Sequence, residues 1–179
     1  LEKTLDFTAP SGGYQRGVRL FGCGRGSRIV ARTKGQPVID LTGELDYTEG
    51  DTPSPIVLFA NVTDPDTTNF MGGKLTIDMA SSGTVSDRLA VRHEGTGIGQ
   101  ISVVGLDIQY NFGGPTGTKT IGTFAAPGPY DGLTTIEINL TADSTPVSVA
   151  ALIENVTFEN VSADPATHVR AVRFVLDDG

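Results

Sequence analysis

From Pro37 onward, apolar and polar positions alternate in short runs, the period of half-buried strands. KLTIDMA sets Leu75, Ile77 and Met79 on one side and Lys74, Thr76 and Asp78 on the other. LTTIEINLT sets Ile136, Ile138 and Leu140 against Glu137, Asn139 and Thr141. RLAVRH alternates, TKTIGTFA reads as a strand, and GTGIGQISVVGLDIQYNF gives two strands parted at Gly105. PVIDL and the β-branched run PIVLFANVT read as strands nearer the start, and Val169 to Leu176 closes the series. Turns rich in Gly, Pro and Asp separate these runs at about 8–12 residues, the spacing of an antiparallel sandwich. One segment departs from the pattern. Thr145 suits an N-cap and Pro146 a first helical position. Val147, Ala150, Ala151 and Glu154 then share a face, which predicts a short helix over 146–154 that crosses between sheets, followed by the strand VTF. The expected fold class is all-β, an antiparallel β-sandwich with one short helix.

Residues 1–36 do not continue this pattern. Glycines at 12, 13, 17, 22, 24, 26 and 35 interrupt LDF, YQRGVRLFGC and SRIVART, of which the last reads as a short strand. So Gly-rich a segment has few ways to build its own core. Residues 1–40 carry seven basic residues against three acids, a net of +4. Residues 41–179 carry six basic residues and eighteen acids, a net of −12. The expected organisation is a basic arm, 1–40, on an acidic module, 41–179, with the arm packed on that module or on another copy. Arg16, Arg19, Arg25, Arg28, Arg32 and Cys23 are the expected subunit contacts. The lone Cys23 is either a free thiol or an intermolecular bridge. Tyr14 and Phe21 beside these arginines resemble a phosphate-binding stretch, but the acidic body opposes a polyanion, so an acidic protein surface is the expected partner and nucleic acid is not. A chain of 179 residues can bury a single core without staples. No apolar run is long enough to span a bilayer, so membrane insertion is not expected. The chain opens at Leu1 without an apolar leader, as expected if a signal was removed or omitted.

The candidate chemistry concentrates in Asn61 to Gly73, NVTDPDTTNFMGG. Asp64 and Asp66 flank a proline, and Thr67, Thr68 and Asn69 follow. Calcium takes six to eight oxygens, often from carboxylates held by turns. Asp177 and Asp178 join the set if the last strand ends at the same pole. The alternative is an Asx-turn, in which the aspartates bond only their own backbone. N-x-[ST] sequons occur at Asn61, Asn139, Asn155 and Asn160, where about one would arise by chance. They are the expected glycosylation sites if the source glycosylates secreted proteins. His93 and His168 read as solvated strand residues, and no nucleophile, base and orienter assemble from the local sequence. The chain is therefore not expected to be an enzyme. The glycines of EGTGIGQ read as a hairpin turn, since no helix follows to receive a phosphate.

Several blocks stand together in order: YTEGD, VTDPDTTNFMGGKLTI, SDRLAV, GQISVVGLDIQY, IGTF, STPVSVAALIENVTFENVSADP and RAVRFVLDDG. Over about residues 45–179 this series resembles the cadherin-like modules repeated in very large secreted and surface adhesion proteins. The resemblance implies a cadherin- or immunoglobulin-like sandwich acting as spacer or adhesive unit. It also implies calcium at acidic junctions between modules, with Asp64, Asp66 and Asp177 as the matching positions. The expected function is an extracellular structural protein that assembles with its own copies through the arm into a fibre or surface layer. The alternative is a calcium-dependent adhesion or carbohydrate-binding module of a larger surface protein, with cell-surface glycans or proteins as partners.

Overall fold

Alternation along the sequence becomes alternation of burial. In the computed structural model, which describes residues 36–48 and 50–179, Ile136 and Ile138 are fully buried while Asn139 between Ile138 and Leu140 is exposed. The strands are β1 (Val38–Thr42), β2 (Ser54–Pro55), β3 (Phe59–Thr63), β4 (Lys74–Ser81), β5 (Asp87–Val91) and β6 (Ile101–Val104). They continue as β7 (Asp107–Asn111), β8 (Thr118–Phe124), β9 (Tyr130–Asp131) and β10 (Ile136–Leu140). Helix α1 (Pro146–Glu154) follows, then β11 (Val156–Asn160) and β12 (Ala171–Asp177). A six-stranded sheet has the order β12-β4-β10-β8-β7-β6, a four-stranded sheet the order β2-β11-β5-β9, and β1 pairs with β3. All pairings are antiparallel. The result is an all-β, sandwich-like arrangement with one short helix. Phe70, Phe174, Leu75, Ile77, Leu89, Ile101, Ile121 and Leu152 lie at its centre.

Helix α1 begins where the sequence places it. Thr145 is the N-cap, and its hydroxyl accepts from the Ser148 N–H while the Ser148 hydroxyl accepts from the Thr145 N–H. Both satisfy donors that the first turn leaves unpaired. The helix carries the chain from β10 in the larger sheet to β11 in the smaller one. Its buried face differs from the expected one. Ser148, Val149, Leu152 and Ile153 point inward, while Val147 is 66% exposed. Val149, Leu152 and Ile153 together place more apolar surface in the core than Val147 with two alanines could.

Other expectations are corrected by the structure. PIVLFANVT is not one strand: it splits into β2 and β3, with Leu58 and Phe59 exposed between and at the start of them. The Leu58 N–H donates to the Thr42 carbonyl although Phe59 is the paired partner of Thr42, so an extra residue bulges there and resets the alternation. The border expected after residue 40 falls inside β1, whose Ile39 is 2% exposed and belongs to the core. The EGTGIGQ loop is not a hairpin, because β5 and β6 lie in different sheets and the loop crosses between them. The strand β9 has no counterpart in the expected series.

Candidate metal centre at the loop pole

The register places one set of loops together. Val38 pairs with Thr63, and Lys74 pairs with Asp177. The starts of β1 and β4 and the ends of β3 and β12 therefore share a pole. The 64–73 loop closes this pole and is fastened to the core by Phe70, which is fully buried. The Phe70 N–H donates to Ser144 O at 3.0 Å, and Gly73 N–H donates to Phe70 O at 3.0 Å. Gly73 is required by proximity: a Cβ there would lie 2.1 Å from the Asp177 carbonyl oxygen. That approach brings the loop against the end of β12.

The result is a cluster of three carboxylates. One oxygen each from Asp64, Asp66 and Asp178 lies within 4.8 Å of the others. Asp66 is exposed, and Asp64 and Asp178 are half-buried. The third member is Asp178, not the expected Asp177. Asp177 ends the strand exposed, and its Oδ1 accepts from the Gly179 N–H at 3.0 Å. The alternation of β12 sets Asp177 on the outer side with Arg173 and Val175, and the next residue turns back over the pole. The Gln36 side chain donates to Asp178 Oδ1 at 3.4 Å.

The loop also makes the local turn that was the alternative to a metal site. Asp64 Oδ1 accepts from the Asp66 N–H at 3.3 Å, and Asp64 Oδ2 accepts from the Thr67 hydroxyl at 2.5 Å. The turn and the cluster coexist. Burial pushes the Asp64 carboxyl up, but hydrogen bonds from Thr67, from Asp66 and from the two backbone N–H groups hold it below the ordinary range. Asp66 is pushed above the ordinary range, first by its hydrogen bond with Asp64, then by partial desolvation and the charges of Asp64 and Asp178. Two neighbouring acids with pKa values driven apart are the response of like charges crowded together. A hard cation would relieve that repulsion, and three two-oxygen carboxylates are ligands of the type calcium takes.

The four sequons part into two groups. Asn61 on β3 and Asn139 on β10 are exposed. Asn155 and Asn160 are 4% and 6% exposed. The Asn155 side chain closes the helix: its Nδ2 donates to Ala151 O at 2.9 Å and its Oδ1 accepts from Arg92 Nε at 2.8 Å. The Asn160 Nδ2 donates to Asp87 Oδ1 at 2.6 Å, and its Oδ1 accepts from the Ser162 N–H. A glycan on either nitrogen would crowd these contacts, whereas Asn61 and Asn139 present theirs to solvent.

Asp87 is the centre of the opposite pole. It is fully buried, and Arg170 Nε lies 2.8 Å from its Oδ1. The Thr84 N–H and hydroxyl donate to its Oδ2 at 2.7 and 2.9 Å. Burial raises its pKa, but the bonds from Asn160, Arg170 and Thr84 outweigh burial and hold it below the ordinary range. Gly132 permits this closure, since a Cβ there would lie 2.6 Å from Thr84 O. The period-2 pattern contains no signal for this centre, because its members stand at strand ends and in turns brought together only by the fold.

His93 and His168 are exposed and lie outside the strands, which corrects their placement on strands. His93 Nδ1 accepts from the Val103 N–H at 3.1 Å. The expected subunit contacts Arg16, Arg19, Cys23, Arg25, Arg28 and Arg32 lie outside the described residues. No described helix is long and apolar enough to cross a membrane. No family model matches the chain, and neither a curated protein nor a solved structure matches it.

Proposed function

We propose that this chain is a cadherin-like, calcium-binding β-sandwich module of an extracellular structural or adhesive protein, one that connects and binds without catalysing a reaction. Asp64, Asp66 and Asp178 would hold the ion. The observation that supports this reading is the meeting of the three carboxylates, from a loop and a strand end more than a hundred residues apart in sequence, within 4.8 Å. Bound there, calcium fastens the 64–73 loop to the end of β12 and stiffens the pole against a neighbouring module or surface. The exposed Asn61 lies three residues from Asp64, so a glycan on it would border any junction packed on this pole. Cell-surface proteins or glycans are the partners of such a unit.

Calorimetric titration with calcium tests the reading. Wild-type protein is expected to bind about one ion, and an Asp64→Asn, Asp66→Asn variant to bind none. Equal heats from both proteins would place the ion elsewhere, and no heat from either would remove calcium from the account.

A second reading is supported by the charge asymmetry. Residues 1–40 carry a net of +4 and the remainder −12, so copies attract one another end to body. A head-to-tail contact that does not close gives a fibre or a layer. Filaments in electron micrographs that disappear on deletion of residues 1–27 would favour this reading. Monomers with and without those residues would end it.

A further inference from the structure

Two of the four sequons are exposed on strands, and their surroundings differ. Asn139 on β10 shares its outer face with Glu137, which pairs with Lys74 at 3.0 Å. Asn61 on β3 shares its outer face with Phe59 and Thr63, since Ala60 and Val62 between them are buried. Phe59 is 58% exposed, a large ring on the surface. Residues two apart on a strand stand on one face, about 6–7 Å from each other. The side chains of Phe59 and Asn61 are thus next neighbours on that face.

The same two residues line a groove of about 350 Å³ between β3 and the outer side of α1. Val147, Ala150 and Ala151 form its helical wall, and Val147 is among the exposed apolar residues. Glu154 also lines it, and its Oε1 accepts from the Ala60 N–H at 2.8 Å. Exposed apolar surface gathered in a groove commonly marks a place where something binds. The wall chemistry suits a pyranose ring. A sugar has C–H faces and a rim of hydroxyls. Its C–H groups carry slight positive charge and favour the negative face of an aromatic ring. Its hydroxyls can donate to the Glu154 carboxylate, which accepts more than one bond. The Asn61 nitrogen supplies the tether that brings a sugar to this place.

We infer that Asn61 carries an N-linked glycan whose first sugar packs on Phe59 and lies along the groove between β3 and α1, as a built part of the module's surface. The inference rests on the extracellular reading proposed above, because N-linked glycans are added to exported chains. The direction of the sugar bears on the proposed ion. β3 runs from Phe59 toward the pole of Asp64, so a sugar turned back over Phe59 points away from that pole. Glycan and cation then occupy neighbouring places without competing. Asn139 has an ion pair beside it in place of a ring, so a glycan there projects into solvent and adds nothing to the fold.

Intact mass, peptide mapping and thermal melting of the full chain, secreted from a glycosylating host, test the inference. Asn61 is expected to carry a glycan. Thr63→Ala destroys the sequon but keeps Asn61 and Phe59. It is expected to melt about 2–4 °C below the glycosylated wild type, the shift of one aromatic contact in a chain of this size. Trimming the wild-type glycan to its first sugar should leave the melting temperature in place. In a Phe59→Ser background, Thr63→Ala should shift it by less than about 1 °C, and so should Asn139→Gln in the wild type. An equal loss for Thr63→Ala with and without Phe59 would overturn the inference, since the threonine and not the sugar would then be stabilising. A bare Asn61 would overturn it alone if calcium still raises the melting temperature, and together with the proposed function if calcium does not.

Discussion

The two poles of the sandwich use aspartate in opposite ways. At one, Asp87 is fully buried and meets Arg170, Asn160 and Thr84. At the other, Asp64, Asp66 and Asp178 crowd within 4.8 Å and Asp66 stands exposed. The first carboxylate is satisfied from within and ties the 84–87 turn to β11 and to the residue before β12. The second set is left in mutual repulsion, which an outside cation would relieve. A buried charge with a complete set of partners serves the fold, and removing one partner strands the rest. An exposed cluster of like charges costs the fold something and is therefore the better place to look for a ligand. The Arg170 guanidinium also lies 5.7 Å over the Phe158 ring, and Tyr47 meets that ring edge-on at 5.1 Å, so the buried pole is continuous with the core.

The largest effect that would break this comparison is at Asp87. Asp87→Ala leaves Arg170 without its ion-pair partner and the Asn160 amide without its acceptor, and is expected to cost about 3–5 kcal/mol in urea unfolding. A loss below about 1 kcal/mol would show that the buried pole is no lock. Asn160→Ala comes next, at about 1–3 kcal/mol, because it leaves a buried carboxylate short of one donor. The same substitution should leave the glycoform mass unchanged, whereas Asn61→Gln should lower it wherever Asn61 carries a glycan. Intact mass and urea unfolding on the two variants separate the structural sequon from the exposed one.

Acid separates Asp87 from Asp66 by sign. The pKa of Asp87 is held below its ordinary value of 3.8. Its stabilisation is therefore complete above about pH 4 to 5 and is lost as pH falls through the lowered pKa. Asp66 is raised, so its ionisation weakens folding as pH rises through the raised pKa. Unfolding measured between about pH 2 and 7 should show an acid loss that is smaller in Asp87→Asn. Asp66→Asn should remove only the smaller, opposite component. Identical profiles for the wild type and Asp87→Asn would contradict the assignment.

Much of the fold was legible because burial follows a period of two. KLTIDMA, IEINL and the closing strand became β4, β10 and β12, and Thr145-Pro146 opens α1. What periodicity could not show was a bulge: Leu58 and Phe59 look like core residues, and only their pairing with Thr42 exposes them. The meeting of acids at the loop pole was legible to within one residue. Asp64 and Asp66 are neighbours in sequence, but the choice between Asp177 and Asp178 depends on which side the last strand faces as it ends. Sequons are local patterns and contain no information about burial, so Asn155 and Asn160 could not be told from Asn61. The buried pole was not legible at all, since Asp87 at the start of β5, Asn160 at the end of β11 and Arg170 just before β12 meet only through the fold.

Thermal unfolding with increasing calcium tests the contrast between the poles most directly. A ligand that binds only the folded state stabilises it by about 2.7 kcal/mol at a hundredfold excess over its dissociation constant. The melting temperature of the wild type should rise with calcium. Asp66→Asn should melt slightly higher than the wild type without calcium and show no rise with it. A wild-type melting temperature that stays constant up to about 10 mM calcium, a range that covers weak extracellular sites, would contradict the account.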